Sequence, residues 1–194
     1  MERVKETVLD GIETVFKPKG LFERSDVGTR RAEGLKSRPT GPLRGDVPPQ
    51  FINISEHEVQ LLVDLYRGQK TGFFLDQRAN RLQLQNLAQE ADVLNLFAYS
   101  SAFSAHALKG GARRTLDIDI SLRASQAARH NLKSNYRKNT TSNFIVGDVF
   151  DFIDRLVLNG PQYDIVVVDP PSLVRKRDKD SIKRALGIYT KLNR

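Results

Sequence analysis

The chain has 194 residues with a net charge of +8, and 39% of them are hydrophobic, enough for one sizeable domain or a domain with a smaller appendage. No apolar run approaches the roughly 18 residues of a membrane span, and the first segment is too acidic for a signal peptide. The absence of Cys excludes disulfides and a thiolate nucleophile within these residues, and the three His residues are too scattered for a metal site. We therefore expect no metal and no membrane anchor, and a location in the cytoplasm or in an organelle.

The amino-terminal part predicts a small mixed unit. Residues 4–16 have apolar side chains at helical spacing, and the pattern stops at Pro18 and Gly20. A stretch rich in Gly and Pro follows, and residues 51–54 and 59–66 resemble extended segments. We interpret residues 1–67 as a small α+β domain.

From residue 79 the pattern changes to helices that alternate with short apolar strands. The strands are predicted at residues 93–97, 115–120, 143–146 and 165–168. The helices are predicted at residues 103–108, 122–138, 149–158 and 180–192. Because strands that are apolar on both faces and separated by helices are typical of a doubly wound parallel sheet, we predict a Rossmann-like α/β domain over residues 68–194.

In such a sheet the ligand lies at the carboxyl ends of the strands. The first predicted strand runs into small residues that would let the backbone approach a ligand. The second ends at Asp119, at about the spacing at which a carboxylate holds the hydroxyls of a ribose. The third is followed by Asp148, which can accept from an adenine amino group while Val149 packs on the ring. The fourth is followed by Asp169 and two prolines.

Each of these acids alone also fits an ordinary helix cap or turn. The series of four strand ends, in order, favours a nucleoside-containing cofactor.

Three strings resemble those of a known family. They are GQKTGFFLDQR at residues 68–78, VLNLFAY at residues 93–99 and LFERSDV at residues 21–27. They are similar to the strings of the bacterial large-subunit ribosomal RNA methyltransferases of the RlmI/RlmK type, which have a class I methyltransferase fold and use S-adenosyl-L-methionine. The resemblance extends over nearly the whole chain. It implies methyl transfer to a base of RNA, above all 23S-type ribosomal RNA, at cytosine-5 or at a guanine position.

The resemblance also implies a set of site residues. The expected cofactor-binding residues are Lys70, Thr71, Phe74, Asp76, Arg78, Asn95, Phe97, Ala98, Tyr99, Ser100, Asp119, Ile120, Asp148, Val149 and Asp169. The expected catalytic residues, which would line the pocket of the target base, are Asp169, Pro170 and Pro171.

An RNA-binding arc is predicted from charge. Residues 172–194 include eight basic residues and two acidic ones. Such an excess beside the Asp-Pro-Pro turn suits a polyanion, although a solvated helix face has the same composition. The expected RNA contacts are Arg175, Lys176, Arg177, Lys183 and Arg184.

The chain departs from the family pattern in two respects. Ser101 and Ala102 stand where the family usually has two glycines, which adds two side-chain carbons near the methionine part of the cofactor. About three strands of the fold, and the cysteine with which the cytosine-5 members attack the base, would lie beyond Arg194. We therefore expect these 194 residues alone not to methylate RNA.

Two alternatives stay open. One is a non-catalytic remnant that binds cofactor or RNA. The other is an enzyme that acts on an amino group of a nucleic-acid base, because Asp-Pro-Pro followed by Ser172 is close to the pattern of such enzymes.

Overall fold

The described part of the chain forms two units. The structure is a computed structural model, and it describes residues 4–25, 34–36, 40–171 and 179–192. The first unit comprises Met1–Ile52 and Val63–Phe74, and the second comprises Asn53–Leu62 and Leu75–Arg194. The boundary predicted between residues 67 and 68 falls inside the first unit, and the extent of the two domains stays a prediction.

The first unit contains a helix and paired strands. Helix α1 spans Lys5–Phe16, and strands β1 (Gly20–Glu23) and β2 (Gly41–Gly45) pair antiparallel. Arg44 of β2 lies 2.6–2.8 Å from three carboxylates of α1, which belong to Glu6, Asp10 and Glu13. The acidic face of α1 thus has a counter-charge within its own unit, and the expected small α+β region is confirmed.

Residues 51–64 form a hairpin, and its residues 53–62 belong to the second unit. It consists of β3 (Phe51–Glu56) and β4 (Val59–Asp64). Its turn residues, His57 and Glu58, have left-handed φ angles of 48° and 64°, the pattern of a type I′ turn. Since neither is Gly, each costs about 1–2 kcal/mol in this conformation, so other contacts of the second unit must stabilise the turn. One of them is an ion pair of 3.1 Å between Glu58 and Lys109.

The second unit is built on a parallel sheet. Its strands are β5 (Asp92–Leu96), β6 (Arg114–Asp119), β7 (Thr141–Val146) and β8 (Ile165–Val168), and their spatial order is β7-β6-β5-β8. Every neighbouring pair is parallel. The predicted doubly wound sheet is therefore confirmed for the described residues.

Helices connect and cover these strands. After the short 3-10 turn Leu75–Gln77 come α2 (Arg78–Leu87), α3 (Ala102–Lys109), α4 (Leu122–Ser134), α5 (Val149–Asn159) and α6 (Lys179–Leu192). Within the described ranges, each helix falls short of the length and apolar content that crossing a membrane requires.

The core lies on both faces of β5, whose residues 93–96 are all buried. One cluster joins this strand to the helices on one face, and it contains Leu84, Ala88, Ala91, Val93, Ala107 and Ala112. The other cluster lies on the opposite face, and it contains Leu94, Leu96, Ile118, Val149 and Ile153. Burial on both faces explains why residues 93–96 of β5 are apolar apart from Asn95.

Two elements differ from the sequence expectation. Helix α4 ends at Ser134, although its pattern predicts a helix to residue 138. The reason is Asn135, whose amide exchanges hydrogen bonds of 2.8 and 3.1 Å with the backbone of Gln60 in β4 and so draws the chain out of the helix. Helix α2 was not among the predicted helices, because it has few apolar residues.

Candidate functional site

The carboxyl ends of the four parallel strands meet at one edge of the sheet. Leu96 of β5 is in register with Ile118 of β6 and with Val168 of β8. Asp119 of β6 is in register with Val146 of β7. The segments that follow the strands therefore lie side by side, as predicted from the alternation of strands and helices.

The turn after β5 has an unusual backbone. Phe97, Tyr99 and Ser101 have left-handed φ angles of 59°, 48° and 58°. For residues other than Gly this conformation costs about 1–2 kcal/mol each, so the surroundings must hold it. The N–H of Ala98 donates to the carbonyl of Ile118 at 3.1 Å, and the N–H of Ser101 donates to the carbonyl of Ala98 at 2.8 Å. Retained strain of this kind concentrates at ligand sites.

Asp119 connects this turn to the end of β6. Its Oδ2 accepts from the N–H of Tyr99 at 2.8 Å, and its Oδ1 accepts from the N–H of Ser121 at 2.7 Å. The side chain is half-buried. A carboxylate has about four acceptor positions, so the group is oriented by two backbone donors and can still accept from a ligand.

The end of β7 supplies a second acid. Asp148 is the N-cap of α5, and its Oδ1 accepts from the N–H of Phe150 at 3.0 Å. This is the ordinary capping role that such an acid can have. Val149 is only 2% exposed and packs in the core, whereas Ile120, beside Asp119, is 70% exposed. Of these two apolar residues, Ile120 therefore offers the larger surface to a ligand.

The turn after β8 lies at the same edge. Asp169 and Pro171 are exposed, and Pro170 is half-buried. Since Val168 pairs with Leu96, this turn follows a strand adjacent to the one that precedes the strained turn. Because Pro fixes φ and lacks an N–H donor, the backbone of this segment is rigid. Its hydrogen-bond acceptors are carbonyl oxygens and the carboxylate of Asp169.

Asn95 lies deeper than the other expected cofactor residues. It is 1% exposed, and its amide donates to Asp117 at 2.8 Å and to Ser104 at 3.1 Å. The hydroxyl of Ser104 donates to the same carboxylate oxygen at 2.8 Å. Burial raises the pKa of Asp117 to about 6, against the opposing effect of these hydrogen bonds. This buried polar cluster supports α3 and β5 from inside the unit.

A further residue was missed by sequence reasoning. Asn131 of α4 is buried, and its amide donates to the carbonyl of Ser100 at 2.8 Å. Its Oδ1 accepts from the N–H of Leu62 in β4 at 2.6 Å. The side-chain amide therefore links the strained turn to the backbone of β4. The sequence does not reveal these contacts, because an Asn in a largely polar helix is equally typical of an exposed position.

The string at residues 68–78 is divided between the units. In the first unit, Lys70 places Nζ 4.7 Å from the centre of the Phe74 ring, and the hydroxyl of Thr71 donates to the carbonyl of Phe73 at 3.2 Å. In the second unit, Asp76 is exposed in the 3-10 turn, and Arg78 donates through Nε to His57 at 3.3 Å.

The predicted RNA arc is only partly described. Arg175, Lys176 and Arg177 lie outside the described residues. Lys183 and Arg184 belong to α6, where the side chain of Lys183 is exposed. Among the described residues, no group of three or more His, Asp or Glu side chains is placed to hold a metal ion.

Several known proteins are similar to this chain in sequence and in fold. A family model described as S-adenosylmethionine-dependent methyltransferase matches residues 41–186. The ribosomal RNA large subunit methyltransferase I of Aliivibrio fischeri is 36% identical over 92% of this chain and 45% of its own length. The protein of the same name from Aeromonas salmonicida is 37% identical over 89% of this chain and 43% of its own length.

A solved structure agrees with this similarity. The crystal structure of SMU.776 complexed with SAH matches with a TM-score of 0.74 and 30% identity, over 91% of this chain and 44% of that one. The chain thus spans less than half the length of each of these relatives.

Proposed function

This chain belongs to the S-adenosylmethionine-dependent methyltransferase family, and on that basis we propose that it binds S-adenosylmethionine for methyl transfer to a base of RNA. The proposed substrate is 23S-type ribosomal RNA, because the similar curated proteins are named ribosomal RNA large subunit methyltransferases. The base is proposed to be cytosine, methylated at carbon 5, or guanine, and the proposed location is the cytoplasm.

The observation that best supports the proposal is the environment of Asp119. Two backbone N–H groups fix this carboxylate at a strand end, and acceptor positions remain on both oxygens. Vicinal ribose hydroxyls are donors that such a carboxylate can bind in bidentate fashion. We assign Asp119 to the ribose of the cofactor.

Neighbouring residues suit the remaining parts of the nucleoside. Ile120 presents an exposed apolar side chain on which an adenine ring can pack. Asp148 uses one carboxylate oxygen for its helix cap, which leaves the other to accept from an adenine amino group. Val149, buried in the core, would support this position from below.

The strained turn suits the methionine part. Its residues 97–100, which include the expected ligands Phe97, Ala98, Tyr99 and Ser100, bring backbone to the strand ends. Ser101 is 0% exposed, so its side chain points into the protein interior. The extra carbon that replaces a glycine hydrogen at this position therefore does not obstruct the exposed side of the turn.

The Asp-Pro-Pro turn is proposed to position the target base. When bound, S-adenosylmethionine supplies the electrophilic methyl group. The acceptor atom must approach that group in line, so the main task of the protein is orientation. Asp169, Pro170 and Pro171 form a rigid segment at the correct edge of the sheet, and Asp169 is exposed to accept from the base.

Five other residues remain proposed cofactor ligands on the sequence resemblance alone: Lys70, Thr71, Phe74, Asp76 and Arg78. Asn95 is proposed to act through Ser104 and Asp117, since its own amide is buried.

The test is the modification of ribosomal RNA in cells with and without the gene. Mass spectrometry of nucleosides should show one methylated cytosine or guanine that is lost on deletion and restored by a gene that encodes these residues together with the remaining part of the methyltransferase fold, but not by its Asp169→Ala variant. Ribosomal RNA with identical modifications in both strains would contradict the proposed substrate. Loss of a methylated amino group instead would favour the amino-directed alternative.

A further inference from the structure

One face of α4 is positively charged and has no acidic residue. Its cations, together with those of the turn that follows, are Arg123, Arg129, Lys133, Arg137 and Lys138, and all are exposed. No Asp or Glu occurs between Asp119 and Asp148. We call these five residues the basic face. None of them forms an ion pair with another described residue.

Three cations at the ends of other strands and helices of this unit are paired with acids. Lys109 lies 3.1 Å from Glu58. Arg113 lies 3.3 Å from Asp92 and 3.1 Å from Asp164, and Arg114 lies 2.8 Å from Asp92. Other described cations of this unit, such as Arg78 and Arg155, are also exposed without an ion pair, but the basic face has five of them within residues 123–138.

The charges of the basic face oppose the stability of the helix. Arg129 and Lys133 are four residues apart, where like charges repel across one turn. Arg123 lies in the first turn, where the helix dipole disfavours a cation. If the polar face of α4 were only solvated, an acidic residue in the first turn, or at one of the positions 129 and 133, would make the helix more stable. An anionic ligand would remove both penalties.

The basic face begins beside the candidate cofactor site. The N–H of Ser121 donates to Asp119, and the hydroxyl of Ser121 caps α4 by accepting from the N–H of Ala124 at 3.1 Å. Arg123 is therefore within one turn of the strand ends. From there to Lys133 the helix extends by about 15 Å at 1.5 Å per residue, which suits an extended polyanion better than a single small anion.

We propose that the basic face binds the phosphate backbone of the RNA substrate. The proposal rests on the proposed function, and it adds a contact surface on α4 to the arc expected near residue 175. An anionic membrane is the less suitable partner, because membrane-surface helices insert an apolar face. In α4 that face is already buried, through Ala124, Ala127 and Ala128.

The experiment compares two double variants that lose the same charge. Arg129→Gln with Lys133→Gln alters the basic face, and Lys109→Gln with Arg113→Gln removes two cations that are paired. Binding of an unmodified ribosomal RNA transcript is measured by fluorescence anisotropy from about 50 to 200 mM salt. The slope of log K against log salt should decrease in magnitude by about 0.7–0.9 for each phosphate that the protein no longer neutralises, in the basic-face variant alone.

The outcomes distinguish failure of this inference from failure of the proposed function. Calorimetry with S-adenosylhomocysteine checks that both variants retain the cofactor site, and if the helix variant does not fold, Arg137→Gln with Lys138→Gln replaces it in the turn. RNA binding with an unchanged slope, or with an equal decrease in the paired-cation variant, overturns the inference and leaves the function standing. Absence of RNA binding by the wild type contradicts both. Loss of binding to phosphatidylglycerol vesicles, with RNA binding unaffected, would assign the face to membranes.

Discussion

The carboxylates of Glu56 and Asp119 are both oriented by hydrogen bonds, but the donors are side-chain groups at Glu56 and backbone N–H groups at Asp119. Glu56 is 7% exposed and receives two hydrogen bonds from Arg81, at 2.6 and 3.0 Å. In addition, Nε2 of His106 lies 3.2 Å from Oε1 of Glu56. Burial opposes its ionisation, but the hydrogen bonds and charge of Arg81 outweigh burial and lower the pKa of Glu56. Asp119 is half-buried and receives backbone N–H groups only.

The difference separates a structural carboxylate from one that can bind a ligand. The side chains around Glu56 come from α2 and α3, so the interaction connects the hairpin to two helices and leaves little of the carboxylate exposed. The donors to Asp119 come from its own strand end and from the turn beside it, and its outer positions stay accessible. We expect changes at the first site to affect folding, and changes at the second to affect binding.

The largest expected effect comes from removing Arg81. The Arg81→Ala variant leaves Glu56 buried without a counter-charge, and breaking such a pair costs about 3–5 kcal/mol of unfolding free energy. Urea denaturation measures this loss. Arg113→Ala is the matched control, because its ion pairs are exposed and should contribute less than about 1 kcal/mol. Equal losses in the two variants would contradict the structural role of the buried pair.

A pH series distinguishes two buried titratable groups. Burial lowers the pKa of His106 to about 4, although the carboxylate of Glu56 opposes the shift, and burial raises the pKa of Asp117 to about 6. For His106, stability is present above its unfolded pKa of about 6.5 and is lost as pH falls towards 4. For Asp117, stability is present below its unfolded pKa of about 3.9 and is lost as pH rises towards 6.

The two contributions therefore oppose each other between about pH 4 and 6.5. Relative to the wild type, Asp117→Asn should lose about 2–3 kcal/mol more on acidification across this range, since one pKa unit is about 1.4 kcal/mol. His106→Gln should show the reverse change. Urea midpoints at four pH values measure both, and parallel curves for the three proteins would refute the account.

Asn131 provides a test of the strained turn. Asn131→Asp replaces the N–H₂ that donates to the carbonyl of Ser100 with an acceptor, so the turn should lose its support. Affinity for S-adenosylhomocysteine should fall by about 1–3 kcal/mol, the usual cost of an unpaired buried group. Asn135→Asp is the control, because its amide serves Gln60 and Asn131 instead. If calorimetry shows the same loss of affinity for S-adenosylhomocysteine in both variants, Asn131 has no specific role in supporting the turn.

The sequence predicts the sheet well because its strands are buried on both faces. Strand β8 occupies residues 165–168 as expected, and Asp119 and Asp148 lie at or just after strand ends, as predicted from where the apolar runs stop. Their role in cofactor binding stays a prediction. A strand end is a local feature that needs no knowledge of distant partners. The same reasoning placed Asp169 at the edge of the sheet.

Helix α2 shows where that reasoning fails. Its sequence RANRLQLQNL is mostly polar, and one of its two buried residues is Arg81. The burial of Arg81 depends on Glu56, which is 25 positions earlier in the chain. The hydrogen bond of Asn95 to Asp117 and the separate contacts of Asn131 were missed for the same reason. Each is a polar residue whose environment is set by tertiary partners.

The most direct test of the central claim is the affinity for S-adenosylhomocysteine measured by calorimetry on three proteins. The wild type should bind, and Asp119→Ala should weaken binding by about 1–3 kcal/mol, or roughly 5- to 150-fold. Asp164→Ala is the matched control, because this acid also accepts from a backbone N–H, at 2.8 Å, but at the opposite edge of the sheet. It should bind as tightly as the wild type. Wild-type affinity in Asp119→Ala, or an equal loss in Asp164→Ala, would contradict the assignment of the strand ends as the cofactor site.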